Sequence, residues 1–282
     1  MSDVGLVLVH GAWHGAATWD QVIPLLEAQG VRAKALDLPG AGGNARMPRA
    51  FFERPLDLGA FATEISPNAG VTQKERTDAV IAAIDETAED VDKVILVGHS
   101  LGGLTVSSVA EAVPGKLSAV VYLTAFMLPP GMPAIAMIQH EKMAGELVAR
   151  HFLSDPQATG ALRLDTAPED PDYRAGLKAA FYADLTEAQY AAALETLHCD
   201  EPAGVAVEPS PITVGQFGAV PRHYIRCTAD NAIPIAGQDF MVASVDAAMG
   251  NTTRCHTMET SHSPFYSQPA ALADILVGIA RA

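Results

Sequence analysis

The run Gly98-His99-Ser100-Leu101-Gly102 carries the clearest chemical signal in the chain. It follows the apolar run Val94-Ile95-Leu96-Val97 and precedes a helix-compatible stretch over 101–112. A serine in so sharp a strand-to-helix turn takes a strained backbone, and small residues at Gly98 and Gly102 let strand and helix approach. The strain lifts the Ser100 hydroxyl clear of a sheet, within reach of a carbonyl carbon. A serine hydroxyl is a poor nucleophile at neutral pH; it needs a base, and the base needs an orienting acid. The chemistry on offer is acyl transfer through a covalent intermediate. A glycine-rich turn with an inert serine shows the same five residues; the flanking strand and helix favour the nucleophile.

The elements around this turn alternate. Apolar runs at 5–9, 31–36, 94–97 and 117–124 read as strands buried on both faces. Helical spacing appears over 19–29, closed by Gly30, and over 77–88. Residues 41–73, rich in Gly, Pro and Asn, read as a long surface excursion. The alternation predicts an α/β fold with a mostly parallel central sheet flanked by helices. Ligands of such sheets bind beyond the carboxyl ends of the strands, and His10, Ser100 and Ala125 all fall there. Residues 129–218 break the rhythm and read as an inserted helical cap, with Thr186-Glu-Ala-Gln189 opening one helix as a capping box. Its methionines and aromatics suit packing onto the core more than lining a pocket. Strands at 222–228 and 252–258 and a helix over 269–281 follow. The expected organisation is a core of 1–128 and 219–282 interrupted by a cap of 129–218.

A G-x-S-x-G between strand and helix resembles the nucleophile elbow of α/β-hydrolases, in which acid and then histidine follow the serine. Three of the nine histidines are late enough. His223 and His256 sit within predicted strands, facing core or solvent. His262 lies in a loop after the last strand and suits the base. Asp230, at the carboxyl end of the strand over 222–228, suits the acid; Asp239 and Asp246 suit a solvated helix face. Asp37 precedes the serine and reads as a turn cap. The negative charge on the carbonyl oxygen needs two donors. The Leu101 N–H is one. The Ala12 N–H is the other, in His10-Gly11-Ala12-Trp13-His14, with Gly11 permitting the unusual backbone direction. Trp13, His99, Phe126 and Met127 are candidate pocket residues. His10 reads as structural, and His14 as either a loop tether or a pocket residue.

Bulk properties bound the partners. The 282 residues are 49% hydrophobic and only 18% charged, enough for a sizeable core. A net charge of −15 repels phosphate backbones and anionic lipid, so neither nucleic acid nor membrane is expected as a partner. The first residues lack a basic, signal-like segment, and no apolar stretch is of membrane-spanning length. Cytoplasmic residence is the expected default. Cys199, Cys227 and Cys255 form no metal spacing; Cys227 and Cys255 read as small core residues. No metal cluster or phosphate-cradling loop is visible, so no cofactor is expected.

The chain resembles the α/β-hydrolase branch that holds plant methyl-ester esterases, hydroxynitrile lyases and bacterial pyrethroid-type carboxylesterases. The resemblance is carried by Leu8-Val-His-Gly-Ala-Trp-His14, Ala35-Leu-Asp-Leu-Pro39, Val97-Gly-His-Ser-Leu-Gly-Gly103, Cys227-Thr-Ala-Asp230 with Ile233-Pro234, and Ser261-His-Ser-Pro-Phe-Tyr-Ser-Gln-Pro269. It implies Ser100, Asp230 and His262 as a triad and Ala12 and Leu101 as oxyanion donors. The lyases place Thr after the first-strand His and Lys after the catalytic His; here stand Gly11 and Ser263. Residues 41–73 exceed the plant length. The expectation is a serine hydrolase of small to medium hydrophobic carboxylic esters. Rival readings are an amide or other acyl hydrolase, a carbon–carbon lyase, and a non-catalytic receptor on the same fold.

Overall fold

The computed structural model describes residues 4–282. Six strands form one sheet: β1 (Val4–Val9), β2 (Arg32–Ala35), β3 (Lys93–His99), β4 (Ala119–Leu123), β7 (Arg222–Cys227) and β8 (Arg254–Met258). Their order is β2-β1-β3-β4-β7-β8, and every pairing is parallel. Alternation along the strands splits the core in two. Leu6, Leu8, Ile95, Val97, Val121 and Leu123 enter one apolar cluster, while Val7, Val9, Val94, Leu96, Val120 and Tyr122 enter the other. Both faces are therefore buried, which is why these strands read as continuous apolar runs.

Helices cover each face. Gln73–Ala88 and Gly102–Ala112 bury Val80, Ile84, Val106 and Val109 on one side; Pro269–Ala280 buries Leu272, Leu276 and Val277 on the other. The first of these helices starts four residues before the apolar period does. Thr72 and Glu75 close a reciprocal capping box there, and capping polar residues carry no hydrophobic period. The helix expected over 19–29 is a short 3₁₀ turn (Ala16–Trp19) followed by Ile23–Glu27, since Pro24 occupies its first turn. Among the described residues, no helix is long and apolar enough to cross a membrane.

Residues 124–221 join β4 to β7, and 129–221 form the segment between the strand ends and β7. Helices Pro171–Phe181 and Glu187–Leu194 lie here, the latter opened by the Thr186–Gln189 capping box. The stretch is not purely helical: β5 (Ala161–Arg163) and β6 (Asp200–Pro202) pair antiparallel. Leu162, Leu177, Phe181 and Tyr182 share the first core cluster, on the face of the sheet opposite Gln73–Ala88, while Ile212, Phe217 and Val220 join the other. Buried charge pins the segment to the 41–73 excursion. Arg163 makes a bidentate pair with Asp200, both bonds 2.6 Å, and its remaining nitrogen donates to the carbonyls of Phe61 and Glu64. Arg76 reaches Glu201 at 2.5 Å. Burial disfavours the Glu201 carboxylate, but Arg76 outweighs it and holds the pKa at about 2.

One side-chain expectation needs correction. Cys227 is buried, but Cys255 is exposed, because β8 is the edge strand of the sheet and Cys255 faces away from the core. Of the strand histidines, His223 is buried and His256 partly exposed, in keeping with a core or solvent placement, and their rings meet at 3.1 Å, Nδ1 to Nε2.

Candidate active site

Ser100 follows the last residue of β3 and has φ 52°, the left-handed region that a serine rarely adopts. The turn is tied on both sides. Its N–H donates to Leu123 O at 3.3 Å, and its carbonyl accepts from Gly103 and Phe126. The two flanking glycines answer to different neighbours. A Cβ on Gly98 would lie 2.4 Å from Val106 in the following helix, as close strand–helix packing requires. A Cβ on Gly102 would lie 2.4 Å from the carbonyl oxygen of His10, so this glycine clears the loop after β1 instead.

That loop turns at Trp13, with φ 60°, and not at Gly11. Gly11 serves space: a Cβ there would sit 2.7 Å from Ser100 Cβ and 2.9 Å from His99 Nδ1. Three side chains hold the Trp13 turn. The indole N–H donates to Leu162 O at 2.8 Å. His14 Nδ1–H donates to Ala12 O at 2.6 Å, and its Nε2 accepts from Tyr182 Oη at 2.8 Å. His14 is thus a tether. Burial lowers its pKa to about 3, so the ring stays neutral and the pattern holds. His10 is structural as expected, bonding Gly11 O and accepting from Leu38 N; burial lowers it to about 4. Asp37 accepts from Ala16 and Gly43 N–H groups, as a turn cap.

Asp230 follows β7, and His262 follows β8 in a loop. Their side chains meet at 2.6 Å, Nδ1–H to Oδ2, and both are buried. The carboxylate is fully gripped. Oδ1 accepts from the Ala232 and Ile233 N–H groups at 2.6 and 2.9 Å, and Oδ2 also accepts from Thr124 Oγ1 at 2.5 Å. With Nδ1 protonated, His262 Nε2 carries the lone pair a base needs. The ring lies between those of His99 (4.6 Å) and Phe181 (5.8 Å). No hydrogen bond joins it to the Ser100 hydroxyl among the described residues. The loop is held from two directions: His99 Nε2–H donates to His262 O at 2.9 Å, and Asp184 of the 129–221 segment accepts from Ser261 N at 3.0 Å and from Ser261 Oγ.

Beside Ser100 lies a cavity of about 50 Å³, lined by Ala12, Trp13, Leu101, Phe126, Met143, Phe152, Phe181 and Ile233 among others. The Ala12 and Leu101 N–H groups, both on its wall, donate to no protein acceptor among the described residues. Of the candidate pocket residues, Trp13 and Phe126 line it. Met127 does not: it is fully buried in the core cluster behind the sheet, since successive residues after β4 face opposite ways. His99 does not line it either; it packs under the His262 loop. Sequence reasoning does not mark Thr124 or Asp184, and it counts Tyr182 only among the aromatics of the 129–218 stretch. Thr124 alone of the first two carries a signal, its place at the carboxyl end of the strand expected over 117–124.

The arrangement presents a strained hydroxyl, an imidazole aligned by a buried carboxylate, and two free backbone donors around one apolar cavity. A model of the alpha/beta hydrolase family matches residues 6–275. The chain belongs to the alpha/beta hydrolase family. Within that family it is 30% identical to Methylesterase 2 of Arabidopsis thaliana over 285 residues, covering 97% of this chain and 95% of that protein. It is 28% identical to a pyrethroid hydrolase of Sphingobium wenxiniae over 283 residues, covering 100% and 89%. Among solved structures, a pyrethroid hydrolase from Sphingobium faniae JZ-2 superposes with TM-score 0.74 at 25% identity, covering 99% of this chain and 98% of that one. Polyneuridine aldehyde esterase shares the fold, with TM-score 0.72 at 23% identity over 98% and 99% of the chains.

Proposed function

We propose that this alpha/beta hydrolase is a carboxylic ester hydrolase acting on small to medium, largely hydrophobic esters through an acyl-enzyme. The observation that carries the reading is the 2.6 Å contact between buried Asp230 and His262 on the loops beside the strained Ser100 turn. Its relatives named as a methylesterase and a pyrethroid hydrolase support the same reaction class.

Ser100 Oγ attacks the ester carbonyl while His262 Nε2 takes its proton. Asp230 stabilises the resulting imidazolium and keeps Nδ1 as the donor. The Ala12 and Leu101 N–H groups receive the oxyanion, and being unpaired beforehand they need little reorganisation. His262 returns the proton to the leaving alcohol, then activates the water that releases the acid. The cavity wall carries a carboxylate, Glu146, and no lysine or arginine. A lyase expelling cyanide wants a cation near the leaving group, so hydrolysis is favoured.

Turnover of a p-nitrophenyl ester by the purified protein tests the reading. Ser100→Ala should lower kcat by ~10⁴-fold or more. Wild-type turnover in that variant would remove Ser100 from the mechanism. A paired ester and amide substrate separates esterase from amidase.

A further inference from the structure

The cavity beside Ser100 is apolar except for one ionic group. Glu146 stands on its wall among Ile138, Met143, Val148 and Phe152. Its carboxylate is built in, not trailing. Oε2 accepts from the Val148 N–H at 2.7 Å and the Ala149 N–H at 3.1 Å, opening the 3₁₀ turn Ala149–His151. The next residue, Leu147, donates its N–H to Asn231 O at 2.8 Å, which fastens this stretch to the residue after Asp230. One oxygen is thereby committed. The other, Oε1, has no protein donor among the described residues, and no lysine or arginine pairs with Glu146 there. The neighbouring cationic candidates do not neutralise it: Arg150 is exposed, and burial lowers the pKa of His151, keeping that ring neutral.

A half-buried carboxylate with a free oxygen, on a wall whose other polar groups are those around Ser100, selects by charge. We propose that the esters this site prefers carry a cation or a strong hydrogen-bond donor at the end remote from the scissile carbonyl, received by Glu146. The proposal rests on the ester-hydrolase reading and names its substrate class. An anionic remote group would meet a like charge in a poorly solvated cleft and be rejected. Hydrophobic contact with Phe152, Met143 and Ile138 would fill the span between Ser100 and the carboxylate, so an alkyl-ammonium chain suits better than a compact cation.

The test compares isosteres. Methyl ω-aminovalerate, methyl hexanoate and monomethyl adipate share one methylene chain and differ in the charge of the remote acyl end; acetylcholine and neohexyl acetate do the same at the alcohol end. The readout is the ratio of kcat/KM within each protein, which cancels any general loss of folded enzyme. In the wild type the cationic member of at least one pair should exceed the neutral one by ~3- to 10-fold, and the anionic one should fall below it, as expected for a partly solvated ion pair. In Glu146→Gln, which keeps an acceptor for the Val148 and Ala149 N–H groups, that ratio should fall to about 1, and added salt should lower it in the wild type only. Binding of the same esters to Ser100→Ala, followed by calorimetry, gives the ratio without turnover. Equal wild-type preference for all charges, or a ratio unchanged by Glu146→Gln, overturns the proposal. Failure of every ester to turn over while the calorimetric ratio persists would count against the esterase reading and leave Glu146's selectivity standing.

Discussion

Thr124 Oγ1 donates to Asp230 Oδ2 at 2.5 Å, and that same oxygen accepts the His262 Nδ1–H at 2.6 Å. The threonine sits directly after β4 with φ 35°, a costly backbone for a β-branched residue. The strain places its hydroxyl across the carboxyl ends of β4 and β7, where Asp230 needs a second donor on that oxygen. Thr124→Val should lower kcat by about 10-fold and stability by ~1–3 kcal/mol, the cost of removing a hydrogen bond to a buried charged group. Thr124→Ser should restore most of both. A Val variant with wild-type kcat would reduce Thr124 to packing.

Gly11 tests the spacing between the loop after β1, the proposed oxyanion site, and the Ser100 turn. A methyl at this position would press on Ser100 Cβ at 2.7 Å. Gly11→Ala should therefore lower kcat by at least about 10-fold, because displacement of a catalytic group by a fraction of an ångström is costly. KM should change less. Steady-state kinetics on one ester decides it, and an unaffected kcat would mean the loop yields freely.

Acid should weaken the fold before it protonates the structural carboxylates. His10 and His14 titrate at about 4 and about 3 when folded, below the ordinary 6.5, because both are buried. Below 6.5 the unfolded chain binds protons that the folded chain refuses, so stability falls as pH drops from 6.5 to 5. Each such histidine contributes a slope of up to about 1.4 kcal/mol per pH unit. The urea midpoint should decline across this window, and less steeply in His14→Gln. A midpoint independent of pH from 6.5 to 5 would contradict the buried neutral assignment.

Much of the site was legible because the sheet is parallel. Ser100, Asp230 and the first loop each follow an apolar run, and carboxyl ends of parallel strands converge. His262 could be separated from His223 and His256 by its loop position alone. What stayed hidden depends on contacts between distant segments. Asp184 and Tyr182 hold the His262 and Trp13 loops from across the core, and nothing local marks them. Gly11 was read as a conformational hinge, but its φ is ordinary and Trp13 takes the turn; a sequence shows that a glycine is needed without showing whether for rotation or for room. Met127 was grouped with Phe126 by adjacency, although neighbours after a strand face opposite ways. The β5–β6 pair carries no hydropathy pattern because its buried residues are charged: Arg163 pairs with Asp200, and Glu201 with Arg76.

The central claim is that Ser100, Asp230 and His262 act as one device. Ser100→Ala, His262→Ala and Asp230→Asn, made singly and together, test it on a single p-nitrophenyl ester. Each of the first two should lower kcat by ~10⁴-fold or more, Asp230→Asn by about as much or somewhat less, and the triple variant should be no worse than Ser100→Ala. Losses that multiply across the three positions, or full turnover without the Asp230 carboxylate, would contradict the account.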